Sequence, residues 1–143
     1  MRKPRLAPAQ KEYLVAKTEL TLRKHLMDES EHDFVIKNNI KNADGTVPYY
    51  TWEIEGWDND ELEAVWKRLE NDSYYQIAFE AYNEARRDFK TAENNLIDWA
   101  LSVPGIPDGV KSILSAHITD YKIREKLIDL AIKLDATTIP KRR

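Results

Sequence analysis

The sequence predicts a mainly α-helical protein: a long antiparallel helical hairpin, additional helices and a small β-hairpin. Three observations lead there. A helical apolar repeat runs unbroken from Tyr74 to Trp99, a capping box opens a helix at Asp58, and an alternating aromatic segment follows the turn dipeptide Asp44-Gly45.

The chain has 143 residues, a length that suits one domain covering 1–143. Residues 1–7 and 139–143 are expected to be flexible basic tails. The first helix is expected over Pro8 to Asp28. Pro8 fits a first helical turn, where its missing N–H costs nothing. Tyr13, Leu14, Leu20, Leu22, Leu26 and Met27 supply apolar positions, though not in one clean stripe. Residues 34–55 then read as a β-hairpin with its loop at 41–48. Phe34-Val35-Ile36 is β-rich, Gly45 permits a positive φ, and Tyr50, Trp52 and Ile54 alternate with Thr51, Glu53 and Glu55. A rival reading makes 30–41 helical, because Ile36 and Ile40 are four apart.

Asp58, with Glu61 three residues on, forms a capping box, and Trp57 and Leu62 are spaced as a hydrophobic staple. Leu62, Val65, Trp66 and Leu69 give a short helix at 59–70 its apolar face. Asn71-Asp72-Ser73 breaks it, and Ser73 with Gln76 offers a second capping box. From Tyr74 the apolar and alanine positions repeat in steps of three and four as far as Val103-Pro104-Gly105. Such a helix spans about 44 Å at ~1.5 Å per residue, more than twice the usual helix of ~11–12 residues. Residues 107–135 are expected to fold back on it as one helix or two.

There are 22 Lys and Arg against 25 Asp and Glu, a net charge of −3. That total conceals an uneven layout: residues 1–26 sum to +5, 28–75 to −9 and 110–143 to +4. The chain has no cysteine, which excludes disulfides, thiolate metal sites and a cysteine nucleophile. No apolar run is long enough for a membrane span, and no signal peptide is expected after the basic start. A cytoplasmic protein without membrane contact is the resulting expectation.

Enzyme motifs are missing. The four glycines have no phosphate-loop or dinucleotide spacing, and there is no GxSxG elbow. His25, Glu29 and His32 fall at i, i+4 and i+7, the one candidate metal set, but a solvated helix end explains them better. His117 reads as a core residue. No cofactor is expected, and the protein is read as non-enzymatic.

Two binding readings follow. In the first, the protein acts by protein–protein interaction, as a homodimer through the long helix. Its partner surface is then the acidic aromatic region: Tyr49, Tyr50, Trp52, Trp57, Asp58, Asp60 and Glu61. Large aromatics set among polar residues are typical interface anchors. In the alternative, a DNA- or RNA-binding accessory protein uses Arg2, Lys3, Arg5, Lys111, Lys122, Arg124, Lys126, Lys141, Arg142 and Arg143 against phosphates. Residues 107–135 would then resemble a helix-turn-helix in size.

Overall fold

The computed structural model describes residues 6–103 and 121–134. Among these the protein is helical, with no strand. Helix α1 spans Pro8–Lys37, a one-turn 3-10 helix spans Thr51–Glu53, α2 spans Asn59–Glu70, α3 spans Ser73–Ser102 and α4 spans Tyr121–Ile132. Of the segment 107–135 expected to fold back on the long helix, residues 107–120 lie outside the described residues. No helix among the described residues is long and apolar enough to cross a membrane.

The chain forms two compact units. One draws its described residues from Met1–Thr18 and Arg87–Arg143, the other is Glu19–Arg86.

In the first unit Tyr13 of α1 joins Leu96, Ile97 and Ala100 of α3 and Ile128 and Ala131 of α4 in one buried cluster. Leu96 is fully buried. Tyr13 meets Phe89 at 5.3 Å between ring centroids. Beside this apolar contact sits a fully buried polar residue, Gln10. Its Oε1 accepts from the Ala7 amide at 2.7 Å. Its Nε2 donates to the carbonyls of Ala131, Ile132 and Leu134 at 3.1, 3.0 and 2.6 Å. Two N–H groups serve three acceptors, so one is shared. One side chain thus closes the end of α4, where carbonyls lack helical partners, and ties it to the start of α1.

The second unit has its own core: Phe34, Val35, Ile40, Ile54, Val65 and Leu69, flanked by Trp57, Leu62 and Tyr75. Here the expected β-hairpin at 34–55 is corrected. Residues 34–37 are the last turn of α1, which runs nine residues past the expected Asp28. The helix ends in a left-handed cap: Asn39 has φ 53°, its amide donates to the Ile36 carbonyl at 3.1 Å, and the Ile40 amide donates to Val35 at 3.0 Å. That is a Schellman closure, with Ile40 packed beside Phe34 and Val35. Asparagine tolerates the left-handed region better than most residues. The β propensity of Phe34-Val35-Ile36 therefore yields to burial of two of the three in a helix end.

Asp44-Gly45 does make the expected turn. The Gly45 amide donates to Asn42 at 2.9 Å and the Asn42 amide to Thr46 at 2.8 Å. The Thr46 amide and hydroxyl both donate to the Asp44 carboxylate, which holds that group below the usual carboxylate range. No ladder grows from this turn. The returning arm is joined at Ala43 and Asn42, where the Ala43 amide meets the Glu55 carbonyl at 3.0 Å and the Glu55 amide meets Asn42 Oδ1 at 2.8 Å. Gly56 follows with φ +83°, and a Cβ there would lie 2.4 Å from the Ala43 Cβ.

Helix α2 begins as expected. The Glu61 amide donates to Asp58 Oδ1 at 2.8 Å and the Asp58 amide reaches back to Glu61 Oε1 at 3.4 Å. Trp57 and Leu62 pack on the same core. The cap of α3 lies one residue earlier than expected: Asp72, not Ser73, accepts from the Tyr75 amide at 2.9 Å. Gln76 instead donates to the Glu70 carbonyl at 2.6 Å, closing α2.

Removing the Gln10 side chain takes a partner from the Ala7 amide and from three carbonyls, of which Ala131 keeps the Leu134 amide at 3.4 Å. Gln10→Ala is expected to lower unfolding free energy by about 1–3 kcal/mol. Gln10→Glu should cost more at neutral pH, since a carboxylate cannot donate and opposes a helix C-terminus. Urea unfolding of both variants checks this.

Candidate functional site

The length of α1 decides where the aromatic segment sits. Asp28, Glu31, His32 and Val35 recur at three- and four-residue steps along its last turns, and the loop that follows folds back onto three of them. Glu31 is buried and accepts from the Thr51 amide at 2.7 Å and the Thr51 hydroxyl at 2.9 Å. Thr51 is itself buried. Bonds to a carboxylate are shorter and stronger than neutral ones, so this pair pins the 3-10 turn to α1.

Around that anchor four rings line up. His32 stacks on Tyr49 with centroids 4.2 Å apart and planes within 7°. Tyr49 meets Tyr50 edge to face at 4.7 Å. Tyr50 stacks on Trp52 at 5.2 Å and 16°. His32 Nδ1 lies 3.0 Å from the Tyr49 carbonyl oxygen. A carbonyl only accepts, so Nδ1 carries the proton and donates. The far end of the ladder is open: Trp52 is 69% exposed.

The charge beside the ladder is negative. Lys24 donates to Asp28 at 3.1 Å, and that bond raises the lysine above its ordinary value. Asp28 also bonds the Tyr50 phenol. Partial desolvation first, then this bond and the Asp28 charge, push Tyr50 up, with Lys24 opposing. Tyr75 is raised in the same sense by burial and then by Glu31 and Asp28. Below Trp52 an open recess is lined by Asn42, Thr46, Val47, Pro48, Tyr49, Trp52, Glu53, Ile54 and Glu55.

Of the residues expected to bind a partner, the structure brings Tyr49, Tyr50 and Trp52 together. Trp57 is half-buried against the core, its indole N–H donating to the Lys41 carbonyl at 2.8 Å. Asp58 and Glu61 are occupied as the α2 cap, and Asp60 stands exposed in its first turn. The metal candidates separate. His25 pairs with Glu29 at 3.0 Å, while His32 belongs to the ladder. Among the described residues no group of three His, Asp or Glu side chains is placed to hold a metal ion. Arg2, Lys3, Arg5, Lys111, Lys141, Arg142 and Arg143 lie outside the described residues, as does His117. Lys122 and Arg124 fall on α4, and Lys126 is exposed there. Asp28, Glu31, Glu53 and Glu55 were not singled out by sequence. The signal for the first two was present in the 28, 31, 32, 35 spacing, once α1 is taken to Lys37.

Comparison with protein-family models, with curated proteins and with solved structures found no match to this chain.

Glu31→Ala should unpin the turn at a cost of about 1–3 kcal/mol. The near-ultraviolet circular dichroism of the stacked rings should collapse while the helical signal persists. An unchanged near-ultraviolet spectrum would show that the ladder holds without the anchor.

Proposed function

We propose that this protein is a non-enzymatic interaction module whose ring ladder is the contact face for a partner protein. The observation that carries this reading is a stack of four rings, pinned from beneath by a buried carboxylate, that ends on an open indole. Interface hot spots favour Trp and Tyr because they offer large contact area with few torsions to freeze. Here the neighbouring rings already restrict Trp52, so association loses little further freedom. The surrounding carboxylates disfavour a phosphate backbone on this face. A nucleic-acid role would rest on the basic segments instead.

Selection of a random-peptide library on the protein, with counter-selection on Trp52→Ala, tests the reading. Peptides that bind the parent and lose at least about ten-fold on the variant support it, since such a loss is about 1.4 kcal/mol. Equal enrichment on both proteins would reject it.

A second reading, self-association through the long helix, is favoured by one observation. On α3, Tyr74 is 73% exposed and Ile77 67% exposed. They border a groove of about 610 Å³ with Leu26, Phe34, Ala78 and Ala81. Exposed apolar surface of this kind marks association sites. Sedimentation equilibrium should give a dimer that Ile77→Glu dissociates. A monomer at every concentration rules this out.

A further inference from the structure

We infer that the recess beneath Trp52 receives an arginine side chain from a basic segment of the partner, an assignment that rests on the interaction reading above. Two aromatic residues, Tyr49 and Trp52, line it, together with apolar surface from Pro48 and Ile54 and the carboxylates of Glu53 and Glu55. The polar groups nearby are already committed: Asn42 bonds Glu55 and Thr46, and Asp44 bonds Thr46. Glu53 and Glu55 are exposed, and among the described residues neither carboxylate takes part in an ion pair. They are the two carboxylates that line the recess.

Charge complementarity names the occupant. Residues 28–75, which contain the recess, sum to −9, so the field here draws cations and repels anions. A cation that enters meets the exposed indole of Trp52, and an indole quadrupole attracts it. Guanidinium suits the recess better than ammonium. It is planar, stacks on an aromatic face, is weakly hydrated, and presents a fork of N–H donors to a carboxylate. Its methylene stem would lie along Pro48 and Ile54, as long cationic side chains cover apolar surface.

The test is a titration of isotopically labelled protein followed by NMR, with three short peptides that differ only in carrying arginine, glutamine or glutamate at the same positions. The arginine peptide should shift the indole N–H resonance of Trp52, and the other two should not. Its affinity should fall roughly three- to ten-fold in Trp52→Ala, which keeps the charges, as a cation–π contact of about 1 kcal/mol or more implies. It should fall similarly in Glu53→Gln/Glu55→Gln, which keeps the ring, and at raised salt. Both variants lie on exposed side chains, and unchanged dispersion of the amide spectrum confirms their fold. Arginine and glutamine peptides binding alike, or an arginine peptide that ignores Trp52 and both glutamates, overturns the assignment. So does a neutral oligosaccharide that shifts Trp52 where the arginine peptide does not. Library peptides that need Trp52 but carry no arginine would overturn it while leaving the interaction reading intact. Equal library enrichment on the parent and on Trp52→Ala would instead reject the interaction reading itself.

Discussion

A carboxylate that leaves water must be compensated on the spot, and in the second unit Glu31 is compensated by one residue, Thr51, with both its amide and its hydroxyl. Much else follows from that pairing. It fixes the 3-10 turn on the last turns of α1. The turn in turn sets Tyr49 and Tyr50 on one side of Thr51 and Trp52 on the other, with Tyr49 stacked on His32 and Trp52 on Tyr50. It also delivers Ile54 to the core beside Val35 and Val65. The loop also carries Ile40 and Ile54 into that core, and the Glu31–Thr51 bonds fix the register at which they enter.

In each unit a buried polar side chain therefore joins segments far apart in sequence. In the first it is Gln10, whose amide serves a donor at the start of α1 and carbonyls at the end of α4. In the second it is Glu31. Apolar clusters set which faces meet, but they tolerate sliding. Directional bonds to a buried group do not, because a misplaced partner leaves an unsatisfied group in low dielectric. Both residues combine register with burial in this way.

How far the sequence could be read depends on the range of the interactions involved. The box at Asp58 and Glu61 and the break before α3 are local, and they were legible within a residue. The long α3 repeat was legible because thirty residues accumulate a periodic signal that noise does not imitate. The end of α1 was legible only in the rival reading that made 30–41 helical. Phe34-Val35-Ile36 has strand propensity, and only the distant core of Val65 and Leu69 decides that it finishes a helix. The alternation at 50–54 misled for a related reason. In a 3-10 turn the repeat is three rather than two. Thr51 and Ile54 therefore point inward while Trp52 and Glu53 point out, and Tyr50, Trp52 and Ile54 never share a face. The aromatic site was thus found by composition, from its density of rings among carboxylates. Its ordering by Glu31 required the tertiary contact.

The meeting of Gly56 with Ala43 bears on how variation at this surface is to be understood. With a positive φ at one and a methyl group against the other, the two positions are sterically locked although both are exposed. In any set of diverging sequences they would drift together or not at all. Such a pair leaves the statistical trace of a contact surface, invariance without burial, for reasons that belong to backbone closure alone. Positions 49, 52, 53 and 55 are free of that lock, and constancy at those positions would carry the more direct record of selection for a partner.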